Sequence, residues 1–182
     1  MSLYDDIKSI ESRDTSADQI KKALDGNVKI ILYQDISNVY DIKNLFNESN
    51  HVVIDYPVNS RFSGHFVCMI YKQDKNQISY FDPYGFNERQ DIKNAKWLRH
   101  NESLSNQLSL PYLFDKFTKQ GGTIDYNTIR YQEISGQIST CARHCVTRLL
   151  KSELTNREYF RWLVYKDLNP DEIVSLLTIG LM

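Results

Sequence analysis

The sequence predicts an α+β fold: a small, mainly antiparallel sheet with helices packed against it. Two observations define the sheet. Residues 66–71 are apolar on both alternating faces, as a strand covered on both sides must be. A turn at Asp74-Lys75-Asn76 then sends the chain back through residues 77–82 as an antiparallel partner. A third observation supplies the helices, because the middle of the chain and its C-terminal third carry helix-period patterns.

Taken in order, residues 16–24 read as a short helix stopped at Gly26, and residues 28–32 as a strand. Asp35 is expected to open a helix through Phe46, with Val39, Ile42, Leu45 and Phe46 on one face. Residues 51–56 read as a strand halted by Pro57. Residues 87–122 read as mostly helical, with an amphipathic piece over 110–117 that ends at Gly121-Gly122. Residues 128–132 are expected to form a further strand. Cys141–Leu150 reads as a helix with Cys145, Leu149 and Leu150 inward. Helices over 156–165 and 171–177 complete the chain, the latter opened by an Asn169 cap and Pro170 at the first helical position.

Length and composition bound the function. The 182 residues suit one domain with its own core, and sparse glycine and proline give no linker. Residues 1–182 are therefore expected to be a single domain, with its informative core at about 50–150. A hydrophobic share of 41%, a charged share of 25% and a net charge of −1 describe an ordinary globular chain. That balance argues against a strong nucleic-acid footprint. The longest apolar run, 66–71, is far short of a membrane span. The polar, acidic start Met1-Ser2-Leu3-Tyr4-Asp5-Asp6 predicts neither a signal nor a transit peptide. The three cysteines, Cys68, Cys141 and Cys145, are expected to be free thiols in a protein that is not secreted.

The chemistry gathers around Cys141. Ser139 or Thr140 is a suitable N-cap, which places Cys141 in the first turn of its helix. There the helix dipole and free N–H groups favour a thiolate, and the Cys141 N–H can donate to an oxyanion. Upstream, His65 lies on the predicted central strand and Asp82 ends its partner. A hairpin loop of even length gives facing pairs whose numbers sum to an odd value. His65 and Asp82 then share a face, and the carboxylate can orient the imidazole. A strand histidine alone is more often a satisfied structural residue, and Asp82-Pro83-Tyr84-Gly85 is also a turn. The combination with a helix-opening cysteine is what singles them out as a nucleophile, base and orienting acid. Gln132 and Gln137 compete as the side-chain oxyanion donor, and Gln132, at the end of a strand, is preferred. Cys68, on the strand face opposite His65, and Cys145, one turn into the helix, read as core thiols. A zinc site at Cys141, His144 and Cys145 lacks the second short-spaced ligand pair that structural zinc sites carry, so no metal or other cofactor is expected.

The order His65, Asp82, Gln132, Cys141 resembles the adenain and ubiquitin-like-protein protease group of cysteine proteases. Thr140-Cys141-Ala142-Arg143-His144-Cys145 is similar to adenain's Ala-Cys-Gly-x-x-Cys segment. Tyr131-Gln132 with Ser139-Thr140-Cys141-Ala142-Arg143-His144, and Phe81-Asp82-Pro83-Tyr84-Gly85, resemble still more closely the capsid-maturation proteases of virophages, Mavirus-type among them, and of large DNA viruses. Two departures stand out. Ala142 replaces the usual glycine after the nucleophile, and Phe66 replaces the tryptophan that often follows the histidine, keeping an aromatic lid over the imidazole.

The resemblance implies an adenain-like fold and a cysteine endopeptidase that cleaves capsid precursors beside small residues or glycine. It implies a place in the virion and in the host cytoplasm where virions assemble. The balanced charge argues against activation by DNA, and a monomer is expected. Competing readings are a deconjugase acting on ubiquitin-like proteins, an acetyltransferase using the same residues, and a non-enzymatic virion interaction protein.

Overall fold

The structure is a computed structural model that describes residues 3–60, 63–164 and 167–182. Its centre is a five-stranded sheet in the order β1 (Lys29–Leu32), β2 (His51–Ser60), β3 (Ser63–Lys72), β4 (Gln77–Phe81) and β5 (Thr123–Tyr126). The three central strands run antiparallel, and each edge strand lies parallel to its neighbour. The expected α+β fold is what forms, with β3 in the middle of the sheet.

Helices cover both faces: α1 (Leu3–Glu11), α2 (Ala17–Ala23), α3 (Glu88–Asn94), α4 (Lys96–Asn101), α5 (Leu104–Gln107), α6 (Ser109–Lys119), α7 (Cys141–Leu150), α8 (Asn156–Leu163) and α9 (Pro170–Thr178). The alternation of β3 sorts the core into two layers. Val67 and Met69 pack with Ile54, Tyr56, Tyr80, Leu98 and Phe114. Cys68 and Ile70 pack with Val53, Phe81, Cys145, Val146 and Tyr159 on the opposite face. α7 lies across that second face and is buried from Cys141 through Leu149. Its Arg148 is fully buried but donates to the Lys151 and Leu154 carbonyls at 2.8 and 3.0 Å and sits over the Tyr159 ring, so the charge is satisfied.

The structure corrects several local expectations. Residues 35–46 form two short 3-10 turns, Tyr33–Asn38 and Ile42–Leu45, not one helix. The β-branched Val39 is extended, and the Asp41 side chain accepts from the Lys43 N–H at 2.9 Å, capping a fresh turn. Pro57 does not halt β2. It pairs with Gly64 beside a register shift, an irregularity of the kind at which strands admit proline. Residues 128–132 are not a strand; the edge strand is β5, which starts five residues earlier. There the Asn127 side chain takes both backbone groups of Asp82, accepting at 2.9 Å and donating at 2.7 Å, so the ladder cannot continue. Leu150 is 49% exposed rather than inward. The expected helix over 156–165 ends at Leu163, and Tyr165 lies outside the described residues. Both C-terminal helices open with reciprocal capping boxes, at Thr155 with Glu158 and at Asn169 with Glu172. α1, which sequence periodicity did not single out, packs on α9, with Lys8 bridging Glu11 and Glu172 at 2.9 and 3.2 Å.

Candidate active site

The β3–β4 hairpin has the register that brings the histidine and the acid together. Cys68 faces Phe81 and Lys72 faces Gln77, so facing numbers sum to an odd value and His65 shares a face with Asp82. The two are offset by one pair along that face. His65 Nε2 hydrogen-bonds Asp82 Oδ1. The other carboxylate oxygen accepts from the Phe86 N–H at 2.8 Å, and Asp82 is fully buried. Cys141 lines the same cleft as His65 and adds to the pull that keeps the imidazole protonated. Burial of His65 favours loss of its proton, yet Asp82, by charge and hydrogen bond, together with Cys141 holds its pKa well above the ordinary histidine value.

A ring does stack on the imidazole, but it is Tyr84, at 4.8 Å between centroids and 26° between planes. Phe66, the expected lid, points to the opposite sheet face and joins the α7 layer, as alternation along β3 requires. Tyr84 belongs to the turn that follows Asp82. Gly85 closes it, donating to the Asp82 carbonyl at 2.9 Å with φ +77°, and a Cβ there would crowd Ile129. The same turn carries Gln132: the Pro83 carbonyl accepts from the Tyr131 and Gln132 N–H groups at 2.8 and 2.9 Å. Gln132 is buried and lines a cleft of about 460 Å³ with His65, Tyr84, Asp91 and Cys141. Its Nε2 is 3.5 Å from the Ile138 carbonyl, and its Oε1 is buried without a partner among the described residues. Gln137 is exposed in the loop. Of the two glutamines the sequence left in competition, the one in the cleft is Gln132, although a docked loop and not a strand holds it there.

Cys141 opens α7 as expected, but neither predicted cap works as one. Thr140 stands at the cap position and makes no capping bond; its hydroxyl donates to Asp171 Oδ1 instead. The first-turn amides of α7 are therefore left without a side-chain acceptor. Asp171, at the start of α9, is a residue sequence reading missed. It also accepts from His144 Nε2 and from the Glu133 N–H, both at 2.9 Å. One carboxylate thus closes the loop between Gln132 and Cys141 from both ends. Its burial works against the charge, but these bonds and the His144 charge outweigh that and lower its pKa. Replacing Asp171 by Ala is expected to lower thermal stability and to slow any reaction that depends on both Gln132 and Cys141. Unchanged melting and unchanged turnover would refute that linkage. An Asp beside a helix-initial Pro is an ordinary first-turn signal, which is why its second role is not legible along the chain.

The other groups weighed at the sequence level sit apart. Cys145 bonds the Phe66 carbonyl at 3.4 Å, and Cys68 points to the Cys145 carbonyl, as core thiols do. His144 is turned to Asp171, so Cys141, His144 and Cys145 do not converge on a metal position. Asp91 is a second buried acid near the dyad, with His65, Asp82 and Asp91 ligand atoms all within 4.8 Å. Burial and the Asp82 charge raise its pKa, and it accepts from the Tyr80 hydroxyl at 2.6 Å.

These shifts have a sign for stability. His65 and Asp91 hold protons more tightly folded than unfolded, so stability should fall as pH rises. For His65 the stabilisation is complete below about pH 6.5 and is lost as pH rises through its raised folded value. The expected result is a urea midpoint for the protein that exceeds that of Asp82→Asn most near pH 6 and loses this advantage at high pH. A difference that grows with pH would contradict the His65–Asp82 linkage.

No known protein-family profile matches the chain. It is 28% identical over 178 residues to "Uncharacterized protein V9" of Sputnik virophage, covering 96% of this chain and 99% of that one. Among solved structures it resembles ChlaDub1 from Chlamydia trachomatis, with a TM-score of 0.50, 12% identity, and 94% and 91% of the two chains covered. It also aligns with the C-terminal Ulp1 protease domain in complex with Smt3, the yeast orthologue of SUMO, at a TM-score of 0.41, 15% identity, and 98% and 83% coverage. The likeness to ChlaDub1 extends over nearly the whole chain, and what it shows is a shared α+β fold, a five-stranded sheet flanked by helices.

Proposed function

We propose that the protein is a cysteine endopeptidase of the adenain-like type that matures viral capsid precursors. The observation that carries this reading is the hydrogen-bonded Asp82–His65 pair in a cleft that Cys141 also lines, with the cysteine opening a buried helix. His65 takes the Cys141 proton and holds it as imidazolium beside the thiolate, and Asp82 fixes the ring and stabilises that charge. The thiolate attacks the scissile carbonyl. The Cys141 N–H and the Gln132 amide receive the oxyanion, and His65 returns the proton to the leaving amine. Water attack on the thioester, with His65 again as base, completes the cycle.

The viral assignment rests on the sequence likeness to a virophage protein over nearly both whole chains. Cleavage beside small residues is what the resemblance to capsid-maturation proteases implies. On this reading the protein works as a monomer, without DNA activation, in the virion and the cytoplasm where virions form. Incubation with the capsid precursor of the same genome, followed by mapping of new termini, should reveal cleavage that Cys141→Ala lacks. A ubiquitin-like protein with a C-terminal extension, assayed in parallel, tests the deconjugase reading: its processing with the capsid precursor untouched would overturn the proposed substrate. Asp82→Ala is expected to cost less activity than His65→Ala, because the ring can still reach the sulfur without its anchor.

A further inference from the structure

We propose that the part of the cleft between α2 and β2 is a subsite for a positively charged side chain of the substrate, on the acyl side of the scissile bond, with Asp55 as its anchor. The proposal rests on the endopeptidase reading above. Beyond Cys141 the cleft continues into a second hollow of about 370 Å³, walled by Asp14, Thr15, Asp55, Phe66 and Ser139. Gly64 and Cys141 line both halves, so the nucleophile stands between them. The charged side chains described on this second wall are both acidic.

Asp55 is the unusual one. It is 9% exposed on β2, and its side chain makes no hydrogen bond among the described residues. Its Oδ1 is buried against Gly64, where any side chain at position 64 would overlap it. The glycine is therefore what lets the carboxylate stand there, and the area Asp55 keeps opens on the hollow it lines. Burial raises its pKa to about 6, against a lowering by His65, so it is ionised at neutral pH. A buried carboxylate without a donor is a cost to the fold, and a neutral side chain would fill the place at less cost. A bound cation removes that cost.

The neighbouring groups suit an ammonium or guanidinium. The Thr15 hydroxyl is also buried without a partner among the described residues. Asp14 is held at the rim by the Ser139 hydroxyl at 2.6 Å, and the Ser139 N–H is anchored to the Glu11 carbonyl at 2.7 Å. Two carboxylate residues and a hydroxyl residue thus line one hollow, and an ammonium has three donors. The side of the bond follows from the proton path. His65 protonates the leaving amine, so the leaving chain exits past His65 and Tyr84, and both line only the first half. The acidic half is left for the acyl chain.

The test uses the intact protein and does not need peptide cleavage. Acetyl-lysyl and acetyl-norleucyl chloromethyl ketones both alkylate Cys141, carry their side chain on the acyl side of the reactive carbonyl, and differ only in the terminal ammonium. The lysine probe should react about tenfold faster, in keeping with a desolvated charge pair. In Asp55→Asn that ratio should fall to about one, and in Asp14→Asn only in part. A neutral glutamine probe should behave as norleucine does; one as fast as the lysine probe would mean a generic donor pocket and overturn the proposal. Equal rates for the lysine and norleucine probes in the unmodified protein would also overturn it, as would a preference that survives Asp55→Asn. Failure of the endopeptidase reading would appear separately, as probe selectivity without any cleavage of the capsid precursor.

Discussion

Replacing Cys141 by Ala is expected to lower peptide hydrolysis by at least about a thousandfold while leaving the fold intact. The side chain is 8% exposed, and removing one sulfur from the floor of a cleft leaves a gap the cleft itself can absorb. His65→Ala should be nearly as costly, because the two residues act as a unit and the loss of either stops proton transfer. Cys145→Ala and Cys68→Ala are the controls. Both thiols are fully buried in the layer between α7 and the sheet, and burial and Cys68 push the Cys145 pKa well up, away from the reactive thiolate. These variants should lose stability through packing and keep substantial activity. Steady-state rates on the capsid precursor, with circular dichroism to verify folding, check all four. Full activity in Cys141→Ala would end the cysteine-protease reading.

Gln132→Ala should lower turnover by about a hundred- to a thousandfold with little change in KM, the signature of a donor used in the transition state. Gln132 lines the cleft with Cys141, and its backbone is held by the Pro83 carbonyl. Gln137→Ala, in an exposed stretch of the same loop, should do little. Alkylation of Cys141 by iodoacetamide separates the causes. It forms no oxyanion, so its rate should be nearly the same in Gln132→Ala as in the unmodified protein, whereas a displaced Cys141 or His65 would slow it. A rise in KM with turnover intact would make Gln132 a substrate-binding residue and refute the oxyanion role.

What the sequence alone determined is what short-range chemistry dictates. The double-sided apolar run of β3, the turn before β4 and the odd-sum pairing follow from period-two geometry, and they brought His65 to Asp82 before any coordinates did. The span of α7 and the cap at Asn169 were legible for the same local reason. Errors came where a side chain far along the chain outcompeted local preference. Asn127 took the backbone of Asp82 and ended β5 early, so Gln132 reached the cleft on a docked loop and not on a strand. Thr140 gave up its capping role to Asp171, thirty-one residues away. Tyr84, not Phe66, covers the imidazole because β3 turns Phe66 to the other face. The acidic half of the cleft draws on Asp14 from the α1–α2 connection and Asp55 from β2, which no sequence spacing relates. Periodicity and capping act over a few residues and can be read along the chain. Which distant carboxylate or amide satisfies a buried donor is settled only when packing brings them together, and here that decision fell to the tertiary structure.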